Sequence, residues 1–541
     1  MYLRVTKQKL KSGKSIAHYQ LAESVWDREK QQSRVKILFN FGRADDDKRV
    51  EELRKLARSI VRLTSPDEIP AEHPDWTVVD ATEYGGIYVL EQLWQQLGID
   101  NIIREQTEPL NLAFDLERAV FAMVANRALA PASKLYCFEQ WLQEDVHIEG
   151  IGKLSLHHLY RAMDLLLKHK DAIEEKLYFQ VADLLNLDVD LIFYDTTSLH
   201  FETDEEDADL RKRGHSKNGR SDAPQIVVGM AVTRDGLPIR HWIFPGNTVD
   251  VTTVKQVKED LRGWHLGRCM FVGDAGMVST ENLRSLALGG GRYITSMPAH
   301  RGGEVAREVL TRPGRYHAVA DNMRVKEVVV GDGERRKRYV LCHNPQEEKR
   351  QRHHREEVIG ELEAELASLK QEDGHSKRVC QLISMPRYRR YLRQTKTGKL
   401  CINRSAIREA EKLDGRFVVH SNDDTLSAED MALGYKQLMR VEQAWRTLKS
   451  SLKIRPVYHW PEHRIRAHVF ISVLSLLLVR VAERACNDSW RNIHDDIKRI
   501  KLVQLLSPYG TVWQTTYPPQ KAIKRLKYME IENPPTIIRT T

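Results

Sequence analysis

Three acidic residues stand where the chain's own pattern places a strand end or a half-buried helix edge. Asp195 lies in Tyr-Asp-Thr-Thr-Ser and Asp274 in Val-Gly-Asp-Ala-Gly-Met, each after a short apolar run rich in β-formers, and Glu442 lies in a later helical pattern. Burying a carboxylate without a partner is costly, and a bound cation is a common partner. A single Asp at a strand terminus is more often a turn or helix cap. Two of them on strands expected to be neighbours point instead to shared chemistry. Hard oxygen donors suit Mg²⁺ or Mn²⁺. The six cysteines (Cys137, Cys269, Cys342, Cys380, Cys401, Cys486) are scattered with no Cys-x-x-Cys, which argues against a zinc knuckle or a disulfide framework and fits a reducing cytoplasm.

The elements that must hold these acids follow from the period of the pattern. Leu191 to Thr197 reads as a strand, and Gln225 to Thr233 with Leu237 to Phe244 as a hairpin turning at Asp235-Gly236. A helix from Val251 to Leu261, a strand from Cys269 to Val272, a helix from Thr280 to Leu288 and a strand from Arg292 to Met297 come next. That order makes a mixed sheet with covering helices, with Asp195 at the end of its first strand and Asp274 just after its fourth. Residues 299 to 412 break the rhythm with a hairpin (Val325 to Val330, Tyr339 to Cys342) and a highly charged helix from Pro345 to Gln371. A strand, Arg416 to His420, then leads to a helix capped by Ser427.

That helix, from Glu429 to Leu452, resolves into faces at about 100° per residue. With Val441 at zero, Leu438, Ala444, Trp445, Leu448 and Leu452 form the core stripe, and Lys449, Glu442, Tyr435 and Arg446 form a second stripe at about 80° to 140°. On spacing alone, ordinary charge pairing of Glu442 with Arg446 and Lys449 accounts for the second stripe. The same edge also suits a carboxylate held over a sheet beside cations that face an anionic backbone.

The chain is 541 residues long, with 84 Lys/Arg against 75 Asp/Glu and a formal charge of +9. The length suggests several domains, and ordinary apolar content excludes a disordered or fibrous chain. Residues 1–43 carry ten Lys/Arg against three acids, a local +7 that leaves +2 for the other 498. Such a footprint suits a phosphate backbone. The longest apolar run, Val469 to Val479, is eleven residues and falls short of the ~20 needed to span a membrane, so it reads as a buried helix. The basic loop Arg211, Lys212, Arg213, His215, Lys217, Arg220 follows an acidic stretch, Glu202 to Asp209; contact with DNA is favoured over internal pairing. Trp242, Trp264 and Trp445 read as core.

Asp195 in YDTT, Asp274 in GDAGM and the helix Tyr435-x6-Glu442-x6-Lys449 together resemble the DDE transposases of bacterial insertion sequences, in the branch with a Tyr-x2-Arg-x3-Glu-x6-Lys signature. GHSKNGRSDAPQIVVGMAV (214–232), DGLPIRHWIFPGNTVDVTT (235–253) and RPVYHWPEHRIRAHVF (455–470) add to it. The resemblance implies an α/β, RNase H-like catalytic core in two pieces, 188–298 and 413–480, interrupted by a β-containing insertion domain at 299–412. By their own pattern, a basic β-hairpin segment (1–46) and a region of helical periodicity (47–187), both expected to contact DNA, precede it, and a region that reads as helical and basic (481–541) follows. Asp195, Asp274 and Glu442 would hold two Mg²⁺ or Mn²⁺ ions for cutting and joining DNA. Tyr435, Lys449, Arg446, Lys217, Arg220, Lys7, Lys9, Lys11 and Lys14 would contact DNA. The implied partners are double-stranded DNA with terminal inverted repeats, target DNA and a second copy of the chain, with the bacterial nucleoid as the place of action and no membrane. The family's Arg position is Leu438 here, on the core stripe, and Arg446 is the better-placed cation. A nuclease that cuts without joining and a DNA-binding regulator are the competing readings.

Overall fold

The computed structural model describes residues 1–541 except 10–14, 28–31, 45, 47, 54, 57–75, 186–189, 208, 217–218, 221, 265, 267–268, 299–302, 304, 334–335, 370–375, 396–397, 508–509 and 541. The chain divides into two compact units: Met1–Val79 with Leu505–Val512 and Thr540–Thr541, and Asp80–Gln504 with Trp513–Arg539.

In the first unit, β1 (Tyr2–Lys9), β2 (Ser15–Asp27) and β3 (Gln32–Arg43) form an antiparallel sheet in that order. Lys7 sits opposite Ala17 and Lys9 opposite Ser15 in the β1–β2 ladder. A further strand, β4 (Thr77–Glu83), interrupts the stretch that periodicity assigns to helices.

The second unit opens with helices α1 (Gly85–Gln96), α2 (Ile99–Thr107), α3 (Leu116–Leu129), α4 (Lys134–Tyr136), α5 (Leu156–Lys168) and α6 (Lys170–Leu184). Side-chain caps fix three starts: Asp115 accepts from the Arg118 amide, Ser133 from the Tyr136 amide and Ser155 from the His158 amide. The chain then enters a mixed sheet through β5 (Leu191–His200), β6 (Gln225–Val232) and β7 (Pro238–Pro245), crosses α7 (Asp250–Gly263) to β8 (Met270–Gly273), and crosses α8 (Thr280–Ala287) to β9 (Arg292–Met297). Gly236, at φ +79°, makes the expected turn between β6 and β7, where a side chain would be strained.

The stretch 299–412 splits in two. Its strands β10 (His317–Ala320), β11 (Met323–Val330) and β12 (Lys337–His343) add to the same sheet through β15 (Arg416–Ser421), giving nine strands in the order β10-β11-β12-β15-β9-β8-β5-β6-β7. Only β5–β8 and β8–β9 run parallel. The rest of the stretch is a helical excursion: α9 (Pro345–Leu369), α10 (Ser376–Ser384), α11 (Pro386–Arg389), a small hairpin β13 (Leu392–Gln394) and β14 (Leu400–Ile402), and α12 (Arg404–Glu411), with small apolar cores of its own.

The expected single helix from Glu429 to Leu452 is two, α13 (Ala428–Lys436) and α14 (Met439–Ser450). Ser427 caps α13 as expected, in a reciprocal box with Asp430. Between the helices the Leu438, Arg440 and Val441 amides reach back three residues, to Tyr435, Gln437 and Leu438 carbonyls. Such 3₁₀ turns advance about 120° per residue instead of 100°, so one helical wheel does not relate Tyr435 to Glu442. The core stripe of α14 is as expected: Leu438, Val441, Ala444, Trp445, Leu448 and Leu452 are all buried. Trp242 and Trp264 are buried as well.

α15 (Glu462–Cys486) contains the Val469 to Val479 run and is the central helix of the unit, packed against α3 and α5. It is long and apolar enough to cross a membrane, but 89% of its apolar window is buried inside the fold. The last sixty residues, expected to be helical, hold α16 (Trp490–Ile497) and α17 (Gln520–Tyr528) but also strands β16 (Lys501–Ser507), β17 (Gly510–Thr515) and β18 (Ile537–Thr540). The strands carry β-formers in Leu-Val-Gln-Leu-Leu and Thr-Val-Trp.

Candidate active site

The site is built on strand alternation. Along β5, Leu191, Phe193 and Leu199 enter one core and Ile192 and Tyr194 the other. Asp195 therefore points to the face of Leu191 and Phe193, the face on which α14 packs. On β8, Met270 and Val272 enter that same core, and Asp274 continues their parity.

The parallel ladder pairs Leu191 with Met270, Ile192 with Phe271 and Phe193 with Val272. Continued by two residues, the same register sets Asp195 beside Asp274. The two carboxylates thus leave one face of neighbouring strands, about 5 Å apart in backbone spacing. Asp195 is not at a strand end as expected. The antiparallel ladder with β6, from Phe193–Val232 to His200–Gln225, keeps β5 extended beyond it, while β8 stops at Gly273. Asp195 is half-buried and Asp274 exposed.

The reverse face braces β5. Tyr194 donates to the Thr253 hydroxyl (2.9 Å) and Thr196 to the Asp250 carboxylate (2.5 Å), tying both sides of Asp195 to the first turn of α7. Gly229 lies opposite Thr196 because a β-carbon there would stand 2.5 Å from the Tyr194 hydroxyl. Burial pushes the Tyr194 phenol well up, so it is a donor at any ordinary pH.

Tyr435, at the end of α13, donates its hydroxyl to Asp274 Oδ1 at 3.0 Å and packs against Phe417, ring centroids 5.4 Å apart. Burial and then the Asp274 charge push its phenol far above the usual range. Glu442 is exposed in the first turn of α14, close enough to Tyr435 for its charge to raise that phenol further. Among the described residues it forms no ion pair with Arg446, which is exposed and meets no carboxylate; Lys449 is half-buried. The simple i,i+4 pairing is thus absent.

Two oxygen-donor carboxylates side by side, with a third on the adjacent helix, match the donor chemistry of Mg²⁺ or Mn²⁺. Among the described residues no three His, Cys, Asp or Glu side chains converge into a ready cage. Mg²⁺ does not require one, since it commonly takes one or two carboxylates and completes its shell with water and substrate phosphates.

The other DNA-contact candidates are dispersed. Lys7 is exposed on β1, Lys9 belongs to the same strand, and Lys11, Lys14 and Lys217 lie outside the described residues. In the basic loop, the described arginines have carboxylate neighbours within the chain. Arg211 bonds Asp207 (2.8 Å) and lies over the Trp460 ring, Arg213 pairs with Glu206 (3.5 Å), and Arg220 pairs with Asp222 (3.1 Å). The acidic stretch beside it supplies the partners of Arg211 and Arg213, and Asp222 within the loop that of Arg220. Leu438 is buried as its place on the core stripe requires, which leaves no room for an Arg there.

Residues 190–478 match the family described as Transposase DDE domain, and residues 3–68 match the IS1634 family transposase, N-terminal domain. The chain belongs to the DDE transposases of bacterial insertion sequences. No curated protein matches this transposase. Among solved structures, a piggyBac transposase synaptic complex with hairpin DNA is similar at a TM-score of 0.34 and 11% identity, covering 76% of this chain and 79% of that one.

Proposed function

We propose that this transposase cuts the ends of its element and joins them to target DNA by metal-assisted phosphoryl transfer, with Asp195, Asp274 and Glu442 as the metal-holding and catalytic residues. The observation that carries the reading is the strand register that sets Asp195 beside Asp274 on the face covered by the Glu442 helix. The strand order β7-β6-β5-β8-β9, antiparallel and then parallel around β5, supports an RNase H-like core.

Bound divalent ions would activate the attacking water or 3′-hydroxyl and stabilise the leaving oxygen. The chain's own contribution is placement. β5, braced by Tyr194 and Thr196, fixes Asp195; Tyr435 orients Asp274; and the exposed edge of α14 presents Glu442 with Lys449 and Arg446 toward the scissile backbone. By family resemblance Tyr435 and Lys449 would hold phosphates once DNA is bound. The partners are double-stranded DNA with terminal inverted repeats and a target duplex, engaged by a homodimer.

The test is incubation with Mg²⁺ and a duplex bearing the element's terminal repeats. Joined products support the proposal; cleavage without joining indicates a nuclease, and binding alone a regulator.

A further inference from the structure

The helical excursion from the sheet carries a charge pattern that the active site does not use. Between Gly374 and Arg408 the sequence holds ten Lys/Arg and no Asp or Glu. Net charge conceals this run, because the acid-rich helix α9 precedes it.

Those acids are largely committed as clamps. Glu361 binds Arg387 (2.8 Å) and accepts from the Tyr388 hydroxyl (3.0 Å), and Glu365 binds Arg378 (2.9 Å), which fastens α11 and α10 to α9. On α12, Glu409 is taken by Lys412 (3.0 Å) and Glu411 lies beside Arg355. Exposed with no ion pair among the described residues are Lys377 on α10 and, on α11, the hairpin and α12, a set of six: Arg389, Arg390, Arg393, Lys399, Arg404 and Arg408.

The local fold collects these cations outward. Leu392 and Ile402, paired across the β13–β14 hairpin, and Leu400 turn into the small cores. Arg393, opposite Cys401, therefore takes the outer face, and Lys399 has the parity of Cys401. On α12, Ile407 and Ala410 pack inward, while Arg404 and Arg408, one turn apart, are both exposed. The Arg390 guanidinium lies 4.5 Å from the centre of the Tyr391 ring, which holds it extended. Six like charges exposed on three short consecutive elements repel one another, and among the described residues no ion pair relieves them.

We infer that this face, formed by α11, the β13–β14 hairpin and α12, is a second DNA-contacting surface that tracks the phosphate backbone of duplex DNA. It rests on the transposase reading above and adds to it a contact remote in sequence from the N-terminal basic segment. With Arg fork geometry and no base-reading pocket, its contribution is independent of base sequence.

The experiment is a salt titration of binding to a terminal-repeat duplex and an unrelated duplex, by fluorescence anisotropy in EDTA, for the wild-type full-length protein and for R393Q/R404Q/R408Q. Each lost phosphate contact removes about 0.9 from the slope of log K against log[salt], so three remove about 2.7. Between 50 and 200 mM salt the wild-type affinity should then fall about 40-fold further than that of the variant, on both duplexes alike. R393K/R404K/R408K keeps the charge and should keep the wild-type slope, which separates charge from altered folding. An unchanged slope for the Gln variant, with wild-type binding and end cleavage intact, overturns the inference alone. A wild-type protein that neither binds nor cuts terminal-repeat DNA overturns both the inference and the transposase mechanism.

Discussion

Tyr435→Phe separates two roles for one hydroxyl. In the structure the phenol donates to Asp274 Oδ1 at 3.0 Å. Family resemblance would instead have Tyr435 grip DNA. A hydrogen bond to a charged acceptor is worth about 1.5–3 kcal/mol net. Asp274 is exposed and water can replace part of what is lost, which places the effect near the lower bound, about 1.5 kcal/mol or roughly tenfold. If Tyr435 acts by orienting Asp274, Tyr435→Phe should raise the Mg²⁺ concentration for half-maximal end cleavage about tenfold. DNA affinity measured in EDTA should stay at the wild-type value. The fold should tolerate the change, because the ring and its packing on Phe417 remain. Cleavage measured against Mg²⁺, beside anisotropy in EDTA, reads both quantities. A fall in DNA affinity with an unchanged Mg²⁺ dependence would refute the positioning role and favour the phosphate grip.

Two further expectations concern buried charge. Lys134 is fully buried with no hydrogen-bond partner for its ammonium among the described residues, and burial first, then the nearby Arg127 charge, bring its pKa down to about 7. The unfolded chain holds that proton up to the ordinary value of 10.5, so stability should rise with pH between about 7 and 10.5. Lys134→Met should therefore stabilise the protein at pH 7, by at most about 5 kcal/mol, with a gain that shrinks toward pH 10; thermal melts across that range check it. Glu174 is the opposite case: burial alone would raise its carboxyl, but Lys170 and His241 beside it bring it down to about 2. Its contribution, about 3 kcal/mol, is present above pH 4.5 and lost as pH falls from about 4.5 to 2, so Glu174→Gln should flatten the acid limb of a stability profile.

Local pattern reveals the elements around the acids well, because each strand of the sheet from Leu191 to Met297 carries its own apolar run and the Asp-Gly turn is unmistakable. Where partners decide the outcome, the pattern is silent. The length of β5 past Asp195 is set by its ladder with β6, and β10–β12 join the main sheet only because β15 returns beside β12. The break between α13 and α14 has no proline to announce it, and Gly434 in the last turn of α13 is too weak a signal alone, so a continuous wheel places the core stripe correctly and still misphases Tyr435 against Glu442. The bond from Tyr435 to Asp274 spans 161 residues and has no local signature. In the basic loop, the acids Glu206 and Asp207 a few residues upstream are visible in the sequence, and they do pair with Arg213 and Arg211. The converse holds in the excursion, where a whole-chain charge balance hides ten cations beside an acidic helix.

The central claim is that Asp195, Asp274 and Glu442 act together on phosphorus. The most direct measurement compares joined products from terminal-repeat DNA in Mg²⁺ for the wild type and for Asp195→Ala, Asp274→Ala and Glu442→Ala, with DNA binding measured in EDTA on the same preparations. The account predicts that each substitution removes several kcal/mol of charge stabilisation and lowers joining by at least about 10³-fold, with binding near the wild-type value. Retention of strand transfer by any one of the three would contradict it.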